Sequence, residues 1–445
     1  MVYCLAIPVF FIIFAPDNEK RNSDMKKTIL ALAFATIGMN AAAQQFDEHF
    51  TDSTLRLDYV FAGSNRTQEI FFEHAYKTAC WAGRKSRLSE MPLQGNGQIT
   101  LRSHDSGQLL YVHTFSTLFQ EWQATEEATR VQRVFETSYN VPMPQRVVDI
   151  KVTLTDFHDR VVGEMTHTLD PKDILIRQQT GSDIDWRYIW TPDSVPDLTR
   201  CIDLAIVAEG YTAAQRDKFY VDCQRAVDAL FAHEPFTTLK QRFNVVAVAP
   251  ASADCGPSIP REGCWHRTAV GIHYDTFYSE RYLMTEEVHH LYDLLAGVPF
   301  EHIIVLVNSG VYGGGGIYNQ LLVTTSDHPT FSQVLVHEFG HSYAGLGDEY
   351  AYDDGYESIY PADTEPWEPN LTTKVDFRQK WADMMPDPTG RIGLYEGGGY
   401  QSKGVWRPSP DCRMRTNESP DFCPVCRRAI VRITDFYTSQ EPSTP

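Results

Sequence analysis

Positive charge is scarce in this 445-residue chain: 39 Lys and Arg stand against 58 Asp and Glu, for a formal charge of −19 with His neutral. A nucleic-acid binder needs a basic face to displace counterions from phosphates, so that class of function is excluded. Long hydrophobic runs are also missing. The first, Val2 to Pro16, falls short of the ~20 residues that cross a bilayer, and no stable membrane anchor is expected in the mature form. The composition has neither the glycine period of collagen nor the polarity of a disordered chain. What is present, 42% hydrophobic and 12% aromatic residues, suffices for real cores, and the length suggests two or three domains.

A second apolar stretch has the order of a secretory signal. Met25-Lys26-Lys27 is followed by an apolar run from Ile29 to Met39 and by Ala41-Ala42-Ala43. A basic start, a short apolar centre and small residues before the cut are what the export machinery reads. Residues 1–24 then read as a mis-assigned start and 25–43 as a cleavable signal peptide, and the expected destination is export: periplasm, cell surface or medium. Cleavage after Ala43 leaves 402 residues at −20, with eight cysteines. An even number in an exported protein permits disulfides.

Turn signals recur through the first third of the chain, with strands expected at Arg56–Phe61, Gln68–Phe72, Gln98–Arg102, Gln108–His113, Arg146–Leu154 and Asp173–Arg177. That spacing predicts an antiparallel β-sandwich over residues 44–190, with Gly181–Arg200 as the connection out of it. The period then changes. Buried strands at Asp203–Ala208, Asn244–Ala249 and His302–Asn308 alternate with helices at Thr212–Phe231 and Thr285–Leu295. Residues 191–445 thus read as an α+β domain with a mixed, mainly parallel sheet. The run Gly313–Gly316 precedes an expected strand Ile317–Thr325; no Gly-Lys-Ser/Thr follows, so it is no phosphate loop. A flexible hairpin and a backbone that an extended peptide can approach are its two readings.

Thr330-Phe331-Ser332-Gln333 has the spacing of a capping box, and Val334-Leu335-Val336-His337-Glu338-Phe339-Gly340-His341 follows it. On a helix His337 and His341 lie one turn apart on one face, placed to hold one Zn²⁺, while Glu338 can take a proton from water beside it. A catalytic zinc needs a third protein ligand and an open position. Asp348 would lie ~10 Å further along a continuing helix, so it reaches the metal only if the helix stops and the chain returns. Gly345 and Gly347 permit that stop, and Asp348 is the expected third ligand, with Glu349 as competitor. Glu357 and Glu365 are the candidates if the third ligand were a Glu on a later helix, but Asp353–Asn370 is too rich in Pro and Asp for one. The pair Asp353-Asp354 reads as a solvated acidic loop, with Ca²⁺ as the alternative. His289-His290 reads as helix surface. Met414 suggests a Met-turn flooring the metal. Cys412 with Cys423-Pro424-Val425-Cys426 is expected to form disulfides, because no fourth ligand for a structural zinc presents itself.

The run from His337 through Gly345-Leu346-Gly347-Asp348-Glu349-Tyr350, with the glycines before it and Cys-Arg-Met-Arg and Phe-Cys-Pro-Val-Cys after it, resembles the IgA-peptidase family of metzincin-like zinc endopeptidases. The resemblance covers about Cys201 to Tyr437. It implies a zincin catalytic domain, one catalytic zinc, and protein or peptide substrates, with host glycoprotein or immunoglobulin among them. One departure stands out: the common metzincin spacing would put the glycine and third ligand at Ala344 and Gly347, and here Gly345 and Asp348 each come one residue later. Tyr343, Tyr350 and Tyr400 are candidates for stabilising the oxyanion. The reading from another class is a non-catalytic exported protein with a structural zinc and a glycan- or protein-binding β domain; Glu338 speaks against it, since a structural site needs no general base.

Overall fold

The computed structural model describes residues 46–193, 198–352 and 359–438. The expected start and signal segments, the Asp353-Asp354 pair and Glu357 lie outside them. No helix among the described residues is long and apolar enough to cross a membrane.

Eight strands build the first part: β1 (Phe50–Gly63), β2 (Gln68–Ala79), β3 (Gly97–Ser103), β4 (Leu109–Phe115), β5 (Arg133–Pro144), β6 (Val148–Thr155), β7 (Val161–Leu169) and β8 (Arg177–Gln179). They form two four-stranded sheets, ordered β5-β1-β2-β8 and β4-β3-β6-β7. On β6 every second residue is buried, so Val148, Ile150, Val152 and Leu154 face inward. They join Leu55, Leu57, Tyr59 and Phe61 of β1 in one core. Sequence reading missed β5 and β7, both sheet edges. Pro142 and Pro144 obscure β5, yet an edge tolerates them because no inner ladder needs their N–H. The expected strand Asp173–Arg177 is mostly turn; only its end enters β8. Between β4 and β5 a short helix, α1 (Leu118–Gln123), is capped by Thr117, whose side chain accepts from the Gln120 N–H.

The second part centres on a six-stranded sheet. It contains β9 (Trp186–Trp190), β10 (Ile202–Glu209), β11 (Phe243–Val248), β12 (His302–Val307), β13 (Gly314–Ile317) and β14 (Leu321–Thr325), ordered β13-β14-β12-β10-β11-β9. The four inner strands are parallel, and the edges β13 and β9 are antiparallel to their neighbours. The expected connection Gly181–Arg200 therefore carries an edge strand. Every residue of β10, β11, β12 and β14 is buried, as in strands covered on both faces. Val207, Val248 and Val305 share a core with the β-sheets of the first part. Ile206, Ala247 and Ile304 alternate with them and pack on the other side with Phe219, Phe339 and Ile430.

Besides one short turn of helix at Phe236–Leu239, the helices accompanying this sheet among the described residues are α2 (Arg216–Phe231), α3 (Val288–Leu294), α4 (Phe331–Ala344) and α5 (Pro424–Thr438). The Thr212 box is present, with the Thr212 N–H donating to Gln215 Oε1 at 3.1 Å. The Thr330 box is not: that side chain makes no cap bond, and φ of −94° with ψ of 17° leaves it out of position. His289 is no surface residue either, since its Nε2 meets the carbonyls of Tyr59 and Thr137 at 3.1 and 3.2 Å. A small sheet of β15 (Ala351–Tyr352), β16 (Tyr395–Gly398) and β17 (Tyr400–Arg407) completes a mixed α+β architecture.

The glycine run is itself strand β13, and the expected strand Ile317–Thr325 is broken by a turn in which Asn319 has φ of 56°. Space, not left-handed backbone, requires glycine here. A Cβ on Gly316 would stand 2.6 Å from the Glu338 carbonyl oxygen, and one on Gly315 would stand 2.4 Å from the Tyr282 ring. The strand therefore lies flush against α4.

Candidate active site

Helix α4 ends where the chain needs it to. Gly345 takes φ of 57°, and its N–H bonds the His341 carbonyl at 3.0 Å, a left-handed cap that turns the chain back. The returning segment brings Asp348 against the helix it has just left. His337 Nε2 and His341 Nε2 are 3.0 Å apart, and Asp348 Oδ1 lies 3.1 Å from the first and 3.3 Å from the second. Three donors sharing a tetrahedral zinc at bonds of ~2.0 Å stand ~3.3 Å apart, so the triangle fits one ion. Glu338 lies within reach of the same imidazoles.

The protons on the two rings are already committed. His337 Nδ1 donates to the Arg413 carbonyl at 2.9 Å and His341 Nδ1 to the Leu346 carbonyl at 2.5 Å. A carbonyl can only accept, so each Nδ1 carries a proton and each Nε2 is the ring nitrogen placed to take a metal. The buried Asp348 Oδ1 faces both Nε2 atoms and no donor outside that triangle. Its other oxygen accepts from the Tyr400 hydroxyl, which holds the carboxylate in this orientation.

Charge follows the same geometry. Burial works to raise the Asp348 carboxyl, but His341 and His337 overcome it and hold the group well below the usual carboxylate range. Burial opposes a charged His341, yet Asp348 raises it to about 9. At Glu338 burial wins over the imidazoles, so that carboxyl is pushed up.

These residues line a cleft of about 710 Å³. One wall is β13, with Tyr282 and Arg281 beside it; another is Tyr350, Tyr352 and Tyr400. The third comes from the β-sheets: Thr117 and Glu121 of the α1 region, with the Tyr282 hydroxyl donating to Glu121. Of the three candidate tyrosines, Tyr343 is buried away from the cleft and bonds Thr434 at 2.7 Å, whereas Tyr350 and Tyr400 line it. Glu365 accepts from the Asp376 N–H at 2.9 Å and takes no part. Met414 is fully buried, and its sulfur would meet a Cβ on Gly340 at 2.6 Å, so it sits directly beneath the helix between the two histidines. Sequence reading missed Glu121, Arg281 and Tyr282, which no local motif marks.

The family model described as IgA Peptidase M64 matches residues 191–390 and 385–434. The chain belongs to this family. A second, described as Peptidase M64 N-terminus, matches residues 45–165, the β-sheet part. No curated protein matches the chain. Membership in the IgA peptidase M64 family supports a metallopeptidase, with protein or peptide as substrate.

One feature of this M64 peptidase contradicts expectation. Cys412, Cys423 and Cys426 form no disulfide. Their sulfurs converge with the Glu349 carboxylate in a second buried group. Asp348 and Glu349 thus point to opposite sides of the chain.

Proposed function

We propose that this chain is an exported, zinc-dependent endopeptidase of metzincin-like build, with residues 44–190 as a β domain and 191–445 as the catalytic domain. The observation that carries the reading is the convergence of two imidazole Nε2 atoms and a carboxylate oxygen within 3.3 Å of one another beside Glu338. His337, His341 and Asp348 would hold the zinc, and Met414 would floor it. Bound there, zinc supplies Lewis acidity, lowering the pKa of water and polarising a carbonyl. Glu338 accepts the water's proton and delivers it to the departing amine. Tyr400 keeps Asp348 aimed at the imidazoles. The peptide lies extended in the cleft beside β13, whose Gly314, Gly315 and Gly316 line it. The signal order in residues 25–43 supports export, and the family description makes immunoglobulin A and similar host glycoproteins the first substrates to try.

Glu338→Gln tests this directly. The variant is expected to keep its zinc and lose about 10²- to 10⁴-fold in kcat on a peptide library. Zinc-loaded Glu338→Gln cleaving at the wild-type rate would sink the assignment.

A further inference from the structure

A second metal site lies on the far side of the turn that carries Met414. Cys412 Sγ and Cys426 Sγ are 3.8 Å apart, and Glu349 Oε1 lies 3.1 Å from Cys426 Sγ and 4.0 Å from Cys423 Sγ. Thiolates bound at about 2.3 Å to a tetrahedral zinc stand about 3.8 Å apart, and a thiolate and carboxylate oxygen about 3.5 Å apart. A disulfide would need about 2 Å. Glu349 is fully buried, and its Oε2 has no hydrogen-bond partner. Asn370 Nδ2 donates to Oε1 at 3.0 Å and keeps that oxygen turned to the sulfurs.

The sulfurs are presented as metal thiolates commonly are. Cys423 immediately precedes helix α5, Cys426 is in its first turn, and the Cys426 N–H points at Cys423 Sγ over 3.5 Å. The Cys423 N–H points at Cys412 Sγ over 3.2 Å. A helix N-terminus and amide donors stabilise negative sulfur. All four residues are buried, which leaves no position for water or substrate.

We propose that Cys412, Cys423, Cys426 and Glu349 bind a structural zinc ion, separate from the catalytic one, that locks the turn on which the active site rests. That turn has several tasks within three residues. Cys412 enters the second site, the Arg413 carbonyl orients His337, and the Met414 carbonyl accepts from the Glu349 N–H at 2.8 Å. The new site therefore clamps the second-site ligand Glu349 and the catalytic Asp348 together.

The test uses the full chain with His337→Ala and His341→Ala, which empties the first site, so the result does not depend on peptidase activity. One zinc per chain is expected, with an X-ray absorption shell of three sulfurs at about 2.3 Å. Adding Cys423→Ser and Cys426→Ser is expected to remove it. Should that variant fail to fold, the wild-type chain answers through its own absorption shell, which must contain sulfur. Glu349→Gln, which keeps all three thiols, is expected to release this zinc to a chelator at least about tenfold faster. A disulfide between any two of the three cysteines, iron in place of zinc, a shell without sulfur, or a zinc-free histidine double variant overturns the proposal. Unchanged release from Glu349→Gln overturns the carboxylate's part in it.

Discussion

Asp348 and Glu349 are adjacent carboxylates, yet they serve opposite surroundings. Asp348 faces two histidines at the floor of a 710 Å³ cleft, with Glu338 beside it and room for a substrate. Glu349 faces three cysteines in a buried cluster closed to substrate. Donor chemistry separates the two: imidazole and carboxylate at an open position suit hydrolysis, whereas thiolates in a closed shell suit scaffolding. One peptide bond thus joins the part that reacts to the part that holds still.

Breaking each side should give opposite signatures. Asp348→Ala is expected to cost at least about 10³-fold in kcat/KM, or about 4 kcal/mol, with little change in melting temperature. Glu349→Ala is expected to lower stability by about 3 kcal/mol or more, read by denaturant unfolding, since it removes a ligand from a buried site. The comparison fails if the two profiles are exchanged. Gly316→Ala sharpens the open side: its Cβ, 2.6 Å from the Glu338 carbonyl oxygen, is expected to cost about 1–3 kcal/mol and to depress kcat. Gly310→Ala, with nothing within 4 Å, is the silent control, and equal effects of the two would refute the tight fit.

Acid should act on the closed side. His302 is buried against Tyr343 of α4 and Tyr437 of α5, and burial lowers its pKa to about 3. The unfolded chain takes up this proton near pH 6.5 and the folded chain does not. This contribution is therefore full above pH 6.5 and falls by about 1.4 kcal/mol per pH unit as pH drops toward 3. His302→Phe is expected to flatten that limb in urea titrations at several pH values; an unaltered slope would show that His302 is not responsible.

What could be read from the sequence was what is local. His337, Glu338 and His341 sit within one helical turn, and the glycines that stop the helix made Asp348 reachable. The inner strands of the six-stranded sheet were legible because unbroken apolar runs can only be buried. Contacts between distant segments were not. Glu121 comes from a helix more than 200 residues before Glu338, and the carbonyls of Arg413 and Leu346 that orient the histidines carry no side-chain signal. Glu349 enters the sequence reading only as the competitor of Asp348, and nothing local in the sequence ties it to cysteines more than 60 residues away.

The β-sheet part reaches the catalytic centre through hydrogen bonds as well as packing. Ser116 N–H donates to the Tyr318 carbonyl at 3.0 Å and Asn319 Nδ2 to the Thr114 carbonyl at 2.8 Å, both in the turn that joins β13 to β14. The region matched by the N-terminal family model thus grips the hairpin against which a peptide would lie. The catalytic half is not a detachable cassette: cut loose near residue 190, it would lose a wall of its cleft and the brace on its substrate-side edge.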